Sequence, residues 1–208
     1  MNRRTSPFDM GLRPEEVGRL NGWDVALTYR GEKRQSGLFV ADLSHLPKWA
    51  FHGTESAHRN LSGPPVPQKP GEVTVDGERM VIRLTPTESL FLLVHGEGPV
   101  PEEAGFTDMT DGYGALAVVG RRCFGVLRNL SPLDVEAPNR RAPFAVQGPV
   151  HDLRCVIVRL EGKEGIPGLI ILAERGYGPF LLDILLDGGG EYGISPAGWR
   201  RFETWLMQ

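Results

Sequence analysis

No apolar run in this chain is longer than about five residues, the length of Leu169-Ile170-Ile171-Leu172-Ala173, and charged or turn-forming residues interrupt every one. A helix that crosses a bilayer needs about 20 apolar residues. The chain therefore has no candidate membrane span and must build from many short elements joined by turns. Its 27 glycines and 17 prolines make about a fifth of the 208 residues, against roughly an eighth in ordinary usage. Because 40% of the residues are still hydrophobic, there is enough apolar material for a packed core of one domain or two small subdomains.

Charge and cysteine usage narrow the function classes. A net charge of -3 gives no general attraction to a phosphate backbone, so nucleic acid is not an expected partner. Cys123 and Cys155 lack C-x-x-C spacing and read as two buried free thiols, with neither a zinc site nor a disulfide framework. The first twenty residues carry Arg3, Arg4, Asp9, Arg13, Glu15 and Glu16, which leaves no apolar core for a signal peptide. A cytoplasmic protein is the expectation, and the N-x-S matches at Asn60 and Asn129 read as chance.

Along the chain, residues 1–19 are expected to be a peripheral segment with a turn of helix at Pro14, Glu15 and Glu16. Val25 to Tyr29 and Gly37 to Ala41 read as a strand pair around the charged turn Arg30 to Ser36. Four prolines in Ser62 to Gly71 rule out a ladder and predict an extended surface loop. Strands follow at Val73 to Val75, Met80 to Leu84 and Leu90 to Val94, with Asp76-Gly77 and Thr85 to Glu88 as turns. Gly98-Pro99-Val100-Pro101 suggests a boundary between a first subdomain at 20–97 and a second at 102–208.

In that second half Ala115 to Val119, Val156 to Val158 and Leu169 to Leu172 read as strands, and Arg121 to Leu130 as a helix. Pro179 to Asp187 suits a buried strand or a helix, with helix slightly favoured by its flanking Pro and Gly. The last helix is expected to start with Ser195 as N-cap and Pro196 at its first position, and to carry a stripe of Trp199, Phe202, Trp205 and Leu206 that is core or a partner surface. Hairpins mixed with crossovers give an α+β fold, and two ferredoxin-like halves fit the length.

The local signals for chemistry are thin. Gly188 to Gly193 matches G-x-G-x-x-G but lacks the following strand and the acidic residue about 20 positions on, so no nucleotide site is expected. Gly120 to Gly125 has Val126 where a P-loop needs lysine. The five histidines form no H-E-x-x-H pair, so no metal is expected. His45, in Asp42-Leu43-Ser44-His45, is the histidine with polar neighbours able to orient it, and a capped turn explains it equally. Asp76, Asp111 and Asp187 each precede glycine, as turns require.

Four stretches in order add a resemblance. Gly37-Leu38-Phe39-Val40-Ala41-Asp42-Leu43-Ser44-His45 resembles the G-L-F-D-[VL]-S-H motif of the folate-binding aminomethyltransferase family, the T-protein of glycine cleavage, with one residue inserted. Arg83-Leu84 through Leu90-Phe91-Leu92-Leu93-Val94 is similar to its Y-R-L-G-x-x-x-x-L-L-V strand pair, and Arg175-Gly176-Tyr177-Gly178 resembles a shortened R-T-G-Y-T-G. Leu185-Leu186, then Tyr192 to Trp199 with Glu203-Thr204, is similar to L-L-x-x-G-x-x-G-L-x-P-A-G-x-x-x-x-[DE]-T. The K-G-C-Y-x-G-Q-E signature of the iron–sulfur maintenance relatives is absent.

The resemblance implies intertwined α+β subdomains around a folate pocket, without the C-terminal β-domain of the transferases, in a chain closer in length to the gamma subunit of heterotetrameric sarcosine oxidase. It implies tetrahydrofolate as the possible cofactor, bound by Arg175, Tyr177, Asp42, Ser44 and His45. The glutamate that follows R-T-G-Y-T-G in the transferases has no counterpart before Gly178-Pro179-Phe180. Asp76 is the nearest candidate for the catalytic aspartate, about two positions out of register. Three functions remain open: an accessory subunit of one-carbon amine metabolism, with a partner at Trp199, Phe202 and Trp205; an active aminomethyltransferase that moves a one-carbon unit from a small amine to tetrahydrofolate; and a structural interaction protein without ligand.

Overall fold

The computed structural model describes residues 4–32, 37–59, 61, 65–95, 98–137 and 139–207. Thirteen strands run through it. They are β1 (Pro14–Leu20), β2 (Trp23–Tyr29), β3 (Phe39–Asp42), β4 (Lys48–His52), β5 (Val73–Val75), β6 (Arg79–Thr85), β7 (Glu88–Leu93), β8 (Phe106–Asp108), β9 (Tyr113–Val119), β10 (Phe144–Val150), β11 (Leu153–Glu161), β12 (Pro167–Glu174) and β13 (Ser195–Ala197). Four helices accompany them: α1 (Glu55–Arg59), α2 (Cys123–Arg128), α3 (Gly178–Gly189) and α4 (Trp199–Leu206).

The short apolar runs are continuous because the sheet they form is covered on both sides. Its order is β10-β11-β12-β9-β3-β13, six strands. Alternate residues such as Val156, Val158, Ile170 and Leu172 face the second large sheet, β5-β6-β7-β4-β8, where Met80, Ile82, Leu90 and Leu92 meet them. Their neighbours Cys155, Ile157, Leu169 and Ile171 face α2 and α3, against Val126, Leu127, Leu181 and Leu185. A third cluster of Trp49, Phe51, Val81, Phe91 and Leu93 covers the outer face of the five-stranded sheet.

The two sheets are interwoven. Strand β3, from before the proline-rich segment, pairs with β9 and β13, whereas β8, from beyond Gly98, pairs with β4. At one edge the sheets also touch through the Glu72 and Phe144 bridge and the 2.8 Å bond from Ala145 N to Gly71 O. At the other end the chain crosses between them twice, over residues 43–47 and 109–112.

Several expectations are corrected. The N-terminal helical turn is instead strand β1, paired antiparallel with β2. Its signal was Asn21-Gly22, with φ of 51° and 80°, the dipeptide suited to a two-residue hairpin turn. Consequently β2 does not pair with β3, and of the charged turn between them residues 33–36 lie outside the described residues, as do 1–3, Asn60 and 62–64 of the proline-rich loop. Ser195 and Pro196 do not start the last helix. They belong to β13, an edge strand parallel to β3, where the missing proline N–H costs no ladder bond. The cap of α4 is Gly198, whose N–H donates to Glu32 Oε2 at 3.1 Å.

The stripe on α4 is not a partner surface. Trp199, Phe202 and Trp205 are 7%, 0% and 5% exposed in the inter-sheet core, and Trp205 Nε1 donates to Ile166 O at 2.9 Å. Gly168 is required beneath it, since a Cβ there would overlap the Trp205 ring. Expected strands at 73–75, 80–84, 90–94, 115–119 and 169–172 fall inside β5, β6, β7, β9 and β12, apart from Val94, which follows β7, and Pro179 to Asp187 is helical as favoured.

Candidate functional site

The chain crosses between the sheets at one end of the molecule, and most of the charged residues of interest gather there. Strand β3 ends at Asp42, whose Oδ1 accepts from Ser44 N at 2.8 Å and so turns the chain. Burial raises the Asp42 pKa above the usual carboxylate range, partly offset by hydrogen bonds from Ser6 and Ser44. Ser44 is fully buried, and its Oγ accepts from Ala115 N at 3.3 Å.

His45 is 3% exposed, with its ring edge-on to Trp199 at 4.8 Å. Its Nε2 has no hydrogen-bond partner among the described residues, so packing orients the ring. Burial, aided by the charge of Lys48, pushes its pKa down to about 3. A neutral imidazole results.

Lys48 opens β4 and is the residue the sequence reading overlooked. It is fully buried, and its Nζ donates to Ser44 O at 2.9 Å and Leu46 O at 2.8 Å. Two main-chain carbonyls thus fix the loop that carries His45. Burial drives the Lys48 pKa down to about 7, with Asp42, Asp111 and Asp108 opposing and Arg175 assisting the fall. A lysine within Leu46-Pro47-Lys48-Trp49-Ala50-Phe51 was the available signal, because a charge in an apolar run is rarely buried without function or partners.

Arg175 follows β12 and meets the second crossing, its N–H donating to Gly112 O at 3.0 Å. It starts a 3-10 turn, Arg175–Tyr177, that leads into α3. Its guanidinium lies 5.0 Å from the Trp23 ring centre, approaches Asp111 Oδ1 at 3.5 Å and donates to Thr5 O. Arg4 reaches the same Asp111 at 3.3 Å. Beside these groups opens a cleft of about 530 Å³ lined by Arg4, Asn21, Pro47, Trp49, Asp108 and Thr110. Asn21 and Thr110 also belong to the scaffold: Asn21 Nδ2 donates to His45 O at 3.2 Å, and Thr110 Oγ1 accepts from Lys48 N at 3.0 Å.

Of the residues singled out from sequence, the fold brings together Asp42, Ser44, His45 and Arg175. Asp76 lies elsewhere. It sits exposed in the β5–β6 turn, where its Oδ1 accepts from Glu78 N at 3.2 Å and Arg79 N at 2.8 Å. Strands β5 and β8 are opposite edges of their sheet, about 19 Å apart at the usual strand spacing. Tyr177 is 53% exposed, on the surface. Cys123 and Cys155 are buried free thiols pushed up to about 12 and about 11 by burial, which keeps them protonated. Among the described residues no three His, Cys, Asp or Glu side chains gather where they could hold a metal ion, and no helix is long and apolar enough to cross a membrane.

No family model and no curated protein matches the chain by sequence. Solved structures do match it in fold. One is a heterotetrameric sarcosine oxidase from Corynebacterium sp. U-96 in complex with pyrrole 2-carboxylate, with a TM-score of 0.64 at 18% identity, over 75% of this chain and 85% of that one. The chain shares that fold. The second match is the glycine cleavage system aminomethyltransferase T from Bartonella henselae, with a TM-score of 0.65 at 18% identity over 95% of this chain. This chain spans 60% of the length of that aminomethyltransferase. These folds are the ones the motif order over residues 37–204 pointed to.

Proposed function

We propose that this protein is a member of the folate-binding aminomethyltransferase family that holds a reduced folate at the junction of its two sheets and serves as a non-catalytic subunit of one-carbon amine metabolism. The observation that carries the reading is the match to the sarcosine oxidase chain, which accounts for 85% of that chain's length. The cleft supports a ligand: about 530 Å³ is within the range of small-molecule sites. Arg175, behind Asp111, suits a carboxylate, which arginine binds in bidentate fashion.

The accessory role is supported by what surrounds the one acid with a catalytic expectation. Asp76 spends its carboxylate on two turn N–H groups at an exposed hairpin tip, where it reaches no ligand in the cleft. Proton transfer requires hydrogen-bond reach to the reacting atom. The partner contributes the chemistry in this reading, as in an assembly of the kind that the heterotetrameric sarcosine oxidase forms.

The test pairs binding with turnover. Tetrahydrofolate is titrated calorimetrically, and methylenetetrahydrofolate formation from an aminomethyl-loaded carrier is followed in parallel. Saturable binding without turnover is the expected result. Turnover abolished in Asp76→Asn would establish the transferase instead, and no binding at all would leave a purely structural protein.

A further inference from the structure

The N-terminal segment changes character along its length. Phe8 and Met10 are each 7% exposed within the helix-covered core. Pro7 and Phe8 fill the space left by Gly114 and Gly178, where a Cβ on Gly178 would stand 2.7 Å from Pro7 Cβ. That part is an anchor. Residues 4–6 make polar contacts instead: Arg4 bridges Trp23 through the main chain and reaches Asp111 at 3.3 Å, the Thr5 carbonyl accepts from Arg175 Nη2, and the Ser6 hydroxyl is hydrogen-bonded to the Asp42 carboxylate while its oxygen accepts from Phe8 N at 3.0 Å.

These contacts form a pattern a ligand can reproduce. An acceptor, the Thr5 carbonyl, sits on a guanidinium, and a donor, the Ser6 hydroxyl, sits on a carboxylate. We propose that residues 4–6 are a built-in occupant of the sheet junction, and that a carboxylate ligand bearing a hydrogen-bond donor displaces them, its carboxylate taking the Thr5 place on Arg175 and its donor the Ser6 place on Asp42. The proposal rests on the folate reading only for the choice of one probe.

The energetics favour lifting of the tip alone. The Arg4 and Asp111 side chains are 46% and 55% exposed, and ion pairs so exposed contribute little; the Arg4–Trp23 bridge and the bond from Phe8 N to Ser6 Oγ, which also break, are isolated contacts outside any sheet. The anchor behind them is apolar and buried, so the chain hinges between Ser6 and Pro7 while Phe8 and Met10 stay seated. Arg4 also lines the cleft, so lifting the tip widens the cleft toward Arg175. Apparent affinity for the ligand is reduced by the fraction of molecules in which the tip is seated.

The experiment uses the full chain carrying Arg4→Ala and Ser6→Ala together, which leaves residues 7–10 intact; circular dichroism and Tm confirm the fold. The first readout is the rate of Arg175 modification by phenylglyoxal, mapped by peptide mass spectrometry, which depends on the tip alone. The second is calorimetric affinity for L-glutamate and for tetrahydrofolate. Faster labelling of Arg175 and about tenfold tighter binding of both probes is expected from removing one exposed pair and the two hydrogen bonds of the Ser6 hydroxyl, to Asp42 and from Phe8 N. Faster labelling with tighter glutamate binding, but no tetrahydrofolate binding in either protein, sustains the proposal and refutes the folate reading. Unchanged labelling overturns the proposal, and so does faster labelling without tighter binding of either carboxylate.

Discussion

The burial of His45 makes a quantitative demand on acid stability. In the folded chain its pKa is about 3, while in the unfolded chain the ordinary value near 6.5 applies. Between those limits the unfolded state binds a proton that the folded state refuses, so stability falls as pH drops. Below about pH 3 both states are protonated and the loss is complete. At about 1.4 kcal/mol per pH unit, the ceiling is about 5 kcal/mol, with about 3 kcal/mol gone by about pH 4.5. That is a large share of the 5–15 kcal/mol typical of a domain. The perturbation is His45→Phe, which keeps an aromatic edge against Trp199 and removes the titrating nitrogen. Urea unfolding of both proteins between about pH 8 and pH 4 is the assay. Asp42, whose raised pKa acts in the opposite sense, is common to both and cancels in the difference. The two proteins should lie within about 1 kcal/mol of each other near pH 8, and the variant should gain about 1.4 kcal/mol on the wild type per unit below about pH 6.5. Parallel stability curves would refute a neutral, buried His45.

Other outcomes follow from the same geometry. Lys48, with a folded pKa of about 7, should make the protein more stable as pH rises from about 7 toward 10.5, because the unfolded lysine still carries its proton there; that rise should vanish in Lys48→Met. The same variant strands the Ser44 and Leu46 carbonyls, so it should lose about 1–3 kcal/mol per carbonyl, measured above pH 10 where burial of the charge no longer counts. Gly168→Ala forces a methyl into the Trp205 ring and should cost about 1–3 kcal/mol in thermal unfolding. Native-state titration with a thiol reagent should leave Cys123 and Cys155 unlabelled until urea is added, since both are buried and protonated.

What the sequence made legible depended on where each element sits. Strands β9, β11 and β12 are buried on both faces, so their apolar runs announce them. Edge elements were hidden. Strand β10 carries Gly148 and Pro149, and β13 carries Pro196, residues that suggest turns yet are tolerated at the rim of a sheet. Strand β1 is polar and exposed, and only Asn21-Gly22 betrayed the hairpin. The stripe on α4 was visible as apolar, but whether it faced a partner or a core depended on the distant Gly162 and Gly168, which make room for Trp205.

The site was partly legible for a related reason. Asp42, Ser44 and His45 form one local turn, and Arg175 came with a motif. Lys48, Asp108 and Asp111 matter through contacts that close only when two crossings between sheets meet, as in the 3.0 Å bond from Lys48 N to Thr110 Oγ1. Asp76 shows the converse, a residue near the right place in sequence that the hairpin carries to the far edge of the sheet.

The claim at the centre of this account is that a reduced folate binds at the junction of the sheets through Arg175. Calorimetric titration of tetrahydrofolate into the wild type and into Arg175→Ala, with the Tm of each recorded, tests it most directly. Saturable one-to-one binding is expected in the wild type, weakened about tenfold or more in the variant, as the loss of a charged hydrogen bond implies. Absence of binding in the wild type, or equal affinity in the two proteins, would contradict it.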